Sequence, residues 1–281
     1  MATWDFPCSD PIDIAIDHWT SGSIVLAGEP TETVVVEVVP SHHSRAADLL
    51  DQVEVEFEDG QLAIHGPQVV TSWRRIGLDL TVRAPAGSSC AAKTVSADLS
   101  CVGTLSGLSF NTASGDLSAS TVTGDVTAKS ASGDLLLDQV GGDLTVQTAS
   151  GDVRATQVDG TVRVNSASGD ASIGHCSGSV TTRTASGDVQ LGAVVSGAVE
   201  VNSATGDIEV AVVPGTGVYL DLSSLTGAVR SDLDEVDSAE ATGPGGPTVE
   251  VRARTLSGNI QVTRANTGRR DSHAATPAQA E

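Results

Sequence analysis

The chain has 281 residues, 15 Lys and Arg against 36 Asp and Glu, a formal net charge of −21, 30 glycines and only 2% aromatic residues. Such a charge repels phosphate backbones and anionic lipid headgroups, which argues against nucleic acid and membrane surfaces and leaves cations and basic proteins as partners. Apolar residues make up 39% of the chain, enough for a core, but a thin one of Val, Ala and Leu.

Residues 1–11, MATWDFPCSDP, hold Asp5 and Asp10, no Lys or Arg and no apolar stretch of signal-peptide length, so no secretory signal is expected and the protein is predicted to be cytoplasmic. From 12 to 85 the pattern is β-rich without a period. It predicts strands at 12–16, 23–27, 33–39, 53–57, 61–65 and 76–84. Glu58-Asp59-Gly60 predicts a tight hairpin turn, and the Ser cap and Ala/Leu content of 44–50 predict a short helix. Trp4, Trp19 and Trp73 fall in this segment, where they would cover the end of a thin core. His42 and His43 are adjacent, and neighbouring residues point apart, so they predict an exposed loop and no metal pair. Cys8, Cys90, Cys101 and Cys176 are far apart with no CxxC pair, which suits reduced buried thiols.

Next comes a self-similar tract. Ser114-Gly115-Asp116 recurs at Gly133-Asp134, Gly151-Asp152, Gly169-Asp170 and Gly187-Asp188, every 18 residues, and Gly206-Asp207 follows after 19. Weaker copies lie midway, at Gly124-Asp125, Gly142-Asp143, Gly160-Thr161, Gly178-Ser179 and Gly197-Ala198, so the underlying unit is nine residues. The residues after each Gly alternate apolar and polar, the period of a half-buried strand, and each Gly-Asp pair supplies a turn. Two halves make an 18-residue coil. The predicted fold is therefore all-β, a parallel β-solenoid with a β-rich N-terminal cap and C-terminal closing strands. Inward columns are expected at Ala113, Ala131, Ala149, Ala167, Ala185 and Ala204 on one corner, and at Val122, Val140, Val158, Cys176 and Val194 or Val195 on the other. A meander of hairpins is disfavoured, because identical residues stack at one coil's spacing only in parallel register.

Strands are predicted at 218–222, 229–233, 249–254 and 259–263, interrupted by an acidic, Gly/Pro-rich loop at 234–247, and a disordered tail is expected after 264. The predicted organisation is a lead-in or cap over 1–92, the repeat solenoid over 93–212, closing strands over 213–264 and the tail over 265–281. No window is apolar enough for a membrane helix.

Taken in order, IDIAIDHWTSGSIVLAG, RAADLLDQVEVEFEDGQLAIHGP, LDLTVRAPAGS, the SASGD repeats and VEVRARTLSGNIQVTRA resemble the actinobacterial β-strand-repeat family of unknown function that carries the provisional name of adhesin. The resemblance covers residues 10–264. It implies a solenoid-like fold; it does not imply an enzyme, and it supplies no catalytic residue to carry over.

The aspartates at 116, 134, 152, 170, 188 and 207 would stack one coil apart, where like charges repel by roughly 0.9 kcal/mol per pair in bulk water. Either each carboxylate accepts turn amide hydrogen bonds, or calcium sits between coils. The second is weaker: calcium-binding nonapeptide repeats use several glycines per unit, and here alternate units replace the Asp by Thr161, Ser179 and Ala198. The Thr and Ser of Thr112, Ser130, Thr148, Ser166, Thr184 and Ser203 suit a hydrogen-bonded corner ladder better than an ice-binding face. A polysaccharide-cleaving site would need aromatic platforms, and the tract has no Trp, Tyr or Phe between Asn111 and Val218. Its outward bases are few, Lys129, Arg154, Arg163 and Arg183. Gly174-His175-Cys176-Ser177-Gly178 matches a nucleophile elbow only in outline, since it falls at a predicted corner.

The resulting expectation is a non-catalytic structural and protein-interaction scaffold, with no cofactor and no metal. Its partner would be a protein or a second copy rather than a small molecule, with Asp234, Glu235, Asp237 and Glu240 as one candidate contact. A surface adhesin or carbohydrate-binding module and a calcium-stabilised β-roll are the alternatives.

Overall fold

Strands that are apolar on alternate residues bury that side best by stacking in register on copies of themselves. The computed structural model, which describes residues 1–41, 46–67, 77–233 and 247–265, is that stack. Its strands begin with β1 (Ala2–Pro7), β2 (Asp13–Glu29), β3 (Thr33–Pro40), β4 (Glu54–Glu58), β5 (Gln61–His65), β6 (Leu78–Pro85) and the long β7 (Ser88–Thr112). The repeat tract supplies β8 (Leu117–Val122), β9 (Val126–Ser132), β10 (Leu135–Val140), β11 (Leu144–Ser150), β12 (Val153–Val158), β13 (Val162–Ser168), β14 (Ala171–Cys176), β15 (Val180–Ser186), β16 (Val189–Val194), β17 (Gly197–Thr205) and β18 (Ile208–Val212). β19 (Gly217–Thr226), β20 (Val229–Ser231), β21 (Thr248–Ser257) and β22 (Ile260–Arg264) follow. The predicted short helix is a 3-10 helix, Ala46–Gln52. The hairpin turn has Asp59 and Gly60 at φ 49° and 76°, as a two-residue turn between twisted strands requires.

The fold is the predicted parallel solenoid. On one side Leu117, Leu135, Val153, Ala171 and Val189 pair coil to coil, and on the other Val126, Leu144, Val162, Val180 and Val199 do the same. All ten are at most 5% exposed. Val122, Val140, Val158, Cys176 and Val194 line one corner as expected.

The other corner differs from expectation. Ala113, Ala131, Ala149, Ala167 and Ala185 are exposed, and the preceding Thr112, Thr148, Thr184 and Ser203 are buried in their place. At Thr112, Thr148, Ser166 and Thr184 the reason is a hydrogen bond that alanine lacks. Thr148 donates to the Ser150 carbonyl at 3.2 Å, Ser166 to Ser168 at 2.9 Å and Thr184 to Ser186 at 3.1 Å, tying down each carbonyl where the chain turns.

Three inward hydroxyls, those of Ser130, Thr182 and Ser203, have no partner among the described residues, and Thr182 is the most deeply buried. It occupies the column of Val146, Val164 and Val201, is 1% exposed, and its Oγ1 has no hydrogen-bond partner. Burying an unpaired hydroxyl is unfavourable, while a methyl of the same shape is not. Thr182→Val is therefore expected to stabilise the fold by about 1 kcal/mol, measured as a rise in urea midpoint at unchanged slope; no rise means the hydroxyl is satisfied in solution.

Parallel stacking reaches back into the N-terminal segment. β2 pairs with β7 on one side, Ile14 to Cys90 and Ile24 to Leu99, and with β5 and β6 on the other, Ile14 to Leu62 and Ile24 to Leu80. The first coil in sequence is thus the second in the stack. The C-terminal end mirrors this: β21 lies between β17 and β19, and β22 between β18 and β20. A repeat's stability depends on its nearest neighbours, so inserting the sequence-terminal coils between two others gives each a ladder on both edges. Beyond β6, β3 and β1 continue one sheet antiparallel and β4 continues the other.

Candidate functional site

Each Ser-Gly-Asp corner brings two backbones together. A Cβ built on Gly133, Gly151, Gly169, Gly187 or Gly206 would overlap the carbonyl oxygen of the glycine one coil earlier. Only a residue without a side chain permits that approach. Positive φ is a second requirement at Gly151, Gly169, Gly187 and Gly206, but not at Gly115 or Gly133.

This close approach sets the aspartates. The N–H of Asp116 donates to Asp98 Oδ1 at 3.0 Å, Asp134 to Asp116 at 2.9 Å, Asp152 to Asp134 at 2.9 Å and Asp170 to Asp152 at 3.0 Å. Asp188 donates to Asp170 and Asp207 to Asp188, both at 2.8 Å, and Asn259 to Asp207 at 2.7 Å. The ladder ends where Ala228 N–H donates to Asn259 Oδ1 at 3.0 Å. Each bond crosses from one coil to the next, a charge-assisted contact that offsets the repulsion along the column. The opposite corner has a shorter version, Asp143 N–H to Asp125 Oδ1 at 2.8 Å and Thr161 N–H to Asp143 Oδ1 at 2.7 Å.

With Oδ1 engaged, Oδ2 is the outward atom. Asp152 Oδ2 takes Arg154 at 2.8 Å and Asp207 Oδ2 takes Asn259 Nδ2 at 3.3 Å, whereas Oδ2 of Asp170 and of Asp188 has no partner among the described residues. Asp170, Asp188 and Asp207 line an open trench of about 440 Å³ along this edge, together with Ser172, Gln190 and Glu209. Such a trench presents fixed carboxylate oxygens at intervals of about 4.8 Å, one per coil.

The Asp170 N–H holds the Asp152 carboxyl below its ordinary value; partial burial opposes this and Arg154 adds to it. A depressed folded-state value contributes stability that is present above the unfolded value, about 3.9, and lost as pH falls through the folded one. Asp152→Asn should therefore flatten the fall in urea midpoint on going from neutral pH to about pH 3, while keeping an acceptor for the Asp170 N–H. An unchanged acid slope would remove Asp152 from the linkage.

No three acidic, His or Cys side chains gather in metal-binding geometry among the described residues. Cys90, Cys101 and Cys176 are buried and free; burial pushes Cys90 up to about 12 and raises the other two. Cys176 turns its Sγ toward the Gly178 carbonyl at a solenoid corner, and the element that follows it is the strand β15. Trp19 is buried inside the stack, on the strand between β6 and β7, instead of covering the end of the core, and Trp4 packs partly buried at the N-terminal end. His42, His43, Trp73, the acidic contact Asp234, Glu235, Asp237 and Glu240, and the tail after Ala265 lie outside the described residues. No described helix is long and apolar enough to cross a membrane.

A repeating rack of short strands over nearly the whole chain has a counterpart among known families: the Toastrack DUF4097 model matches residues 31–263. The chain belongs to the toastrack DUF4097 family. Among solved structures it is similar to a candidate cell-adhesion protein from Clostridium sporogenes, at 12% identity over 94% of this chain and 99% of that one, with a TM-score of 0.26. It is also similar to a candidate adhesin from Bacteroides fragilis, at 14% over 93% and 96% with a TM-score of 0.39, and to a candidate lipid-binding protein from Parabacteroides distasonis, at 13% over 94% and 96% with 0.33. The adhesin name read from the sequence thus recurs among these structures, whose sources are not actinobacterial. No curated protein matches the chain.

Within this toastrack chain, sequence reasoning missed the two ends of the ladder. Asp98 follows Ala97 instead of Gly, and Asn259 replaces the Asp. Asp98 keeps the 18-residue frame and could have been found by counting back from Asp116; Asn259 sits 52 residues after Asp207, outside that frame, and only the likeness of Ser257-Gly258-Asn259 to the Ser-Gly-Asp corner could have found it.

Proposed function

We propose that this toastrack protein is a non-catalytic scaffold that binds a basic segment of a protein partner along its aspartate edge. One observation carries the reading: the carboxylates of Asp170, Asp188 and Asp207 are each held by a backbone N–H from the next coil and stand in one open trench. Anchored charges lose little side-chain entropy when a cation docks, and their regular spacing suits an extended chain bearing Lys or Arg at intervals. Attraction of this kind is screened by salt, so affinity should fall as ionic strength rises.

Asn259 shows how to test the charges without breaking the ladder, because its amide oxygen does the same structural work. The triple variant Asp170→Asn, Asp188→Asn, Asp207→Asn keeps the acceptors and removes three charges. Titration of a fluorescent Lys-rich peptide against the full chain should show salt-sensitive binding that the triple variant loses at an unchanged melting temperature. Binding of equal strength in the variant would sink the proposal.

A further inference from the structure

The two ends of the stack are built differently. At the N-terminal end the antiparallel β1 and β4 cover the last coil, and Phe6 and Phe57 pack at 5.1 Å between them. At the C-terminal end the last coil is β19 and β20. Among the described residues β19 is paired only with β21, and β20 only with β22. Inward-facing Val218, Leu220 and Leu222 are half-buried, whereas their register partners Val249, Val251 and Ala253 are buried. Exposed large apolar side chains also gather here: Tyr219 at 65%, Leu225 at 77%, Val229 at 45% and Leu256 at 59%.

Charge is balanced along the two edge strands themselves. Residues 217–231 contain one acid, Asp221, and one base, Arg230, in a chain of net charge −21. Two copies repel along their acidic edges and have least to overcome where charge cancels. A long strand edge with unpaired backbone groups is a template for a further strand. The opposite end offers antiparallel edges and an aromatic seal in place of this parallel edge, so the surface that complements the C-terminal end is that same end on another copy. A contact of one patch with itself closes after two subunits.

We propose that two copies join end to end, β19 running antiparallel to β19 of the second copy about a two-fold axis at Leu222. In that register Tyr219 stands opposite Leu225 of the second copy on the outer face. Leu220 stands opposite Ser224, and Leu222 meets its own symmetry mate. Asp221 faces Ser223 of the second copy, and the strand behind that serine carries Arg254. Like charges are kept apart, whereas centring the axis on Asp221 would set two carboxylates against each other. Tyr219 and Leu225, the two most exposed of the four apolar side chains at this end, thus cover one another.

Sedimentation of the full chain tests this. Dimers are expected, tightening as salt screens the net charge, a trend opposite to that of peptide binding at the aspartate edge, so the two proposals fail separately. Replacing the exposed pair, Tyr219→Asp with Leu225→Asp, should weaken the dimer by roughly a hundredfold while leaving the melting temperature unchanged in dilute solution, where both chains are monomeric. Leu222→Cys should give a disulfide-linked dimer on mild oxidation that the parent sequence does not. A chain that stays monomeric up to roughly 100 µM overturns the proposal. So does a double variant that dimerises as tightly as the parent, or a dimer whose Leu222→Cys form does not cross-link.

Discussion

Gly169→Ala is expected to destabilise the fold by about 3 kcal/mol or more. Two penalties add. Gly169 has φ 118°, a conformation that an L side chain adopts only under strain, roughly 1–3 kcal/mol. Its Cβ would also overlap the Gly151 carbonyl oxygen, and that oxygen belongs to backbone that cannot rotate away. The coils must then separate at the corner, which lengthens the ladder bonds from Asp170 to Asp152 and from Asp188 to Asp170. Gly60→Ala is the control. Gly60 has φ 76° with nothing within 4 Å of a built Cβ, so only the backbone penalty remains, about 1–2 kcal/mol. Urea unfolding followed by circular dichroism compares the two. Equal losses would mean that the corner relaxes and that close stacking is not what selects glycine there.

Trp19→Ala should cost about 3–5 kcal/mol. Trp19 is 1% exposed, and its Nε1 donates to the Leu78 carbonyl at 3.0 Å across 59 residues of sequence. It follows His18, whose φ of 61° marks the irregularity where β2 passes from Ile16 to Trp19 along β7. The neighbouring Gly66 already leaves little room: a Cβ there would meet the Trp19 ring at 3.2 Å. A core of Ile, Val, Leu and Ala has no long flexible side chain to refill an indole-sized cavity, and coils held by hydrogen bonds on both edges cannot collapse into it. Trp19→Phe separates the two contributions. It retains most of the volume but leaves the Leu78 carbonyl unpaired, an expected loss of roughly 1–3 kcal/mol. Calorimetry of both variants provides the comparison, and an alanine variant melting within a few degrees of the parent would show that the N-terminal coil repacks.

Sequence alone determined the period, the all-β class, the position of nearly every repeat strand and the spacing of Gly and Asp at the corners, because a nine-residue alternation can bury its apolar residues only by stacking copies in register. It also marked the hairpin at Asp59-Gly60, a local feature set by two residues. Tertiary structure alone decided three things. At the Ser-Gly-Asp corner it turned Thr148 and Thr184 inward and Ala149 and Ala185 outward, since a hydroxyl can bind the corner carbonyl and hydropathy does not register that bond. It assigned each aspartate oxygen to the backbone of the next coil, a neighbour 18 residues away along the chain. It also placed β21 and β22 inside β19 and β20, and β2 inside β5 and β6. Coils with the same alternation can stack on either side of one another, so a repeating pattern states that strands pair without stating in which order. Packing at the two ends settles that order, sealing one with Phe6 and Phe57 and leaving the edge of β19 at the other.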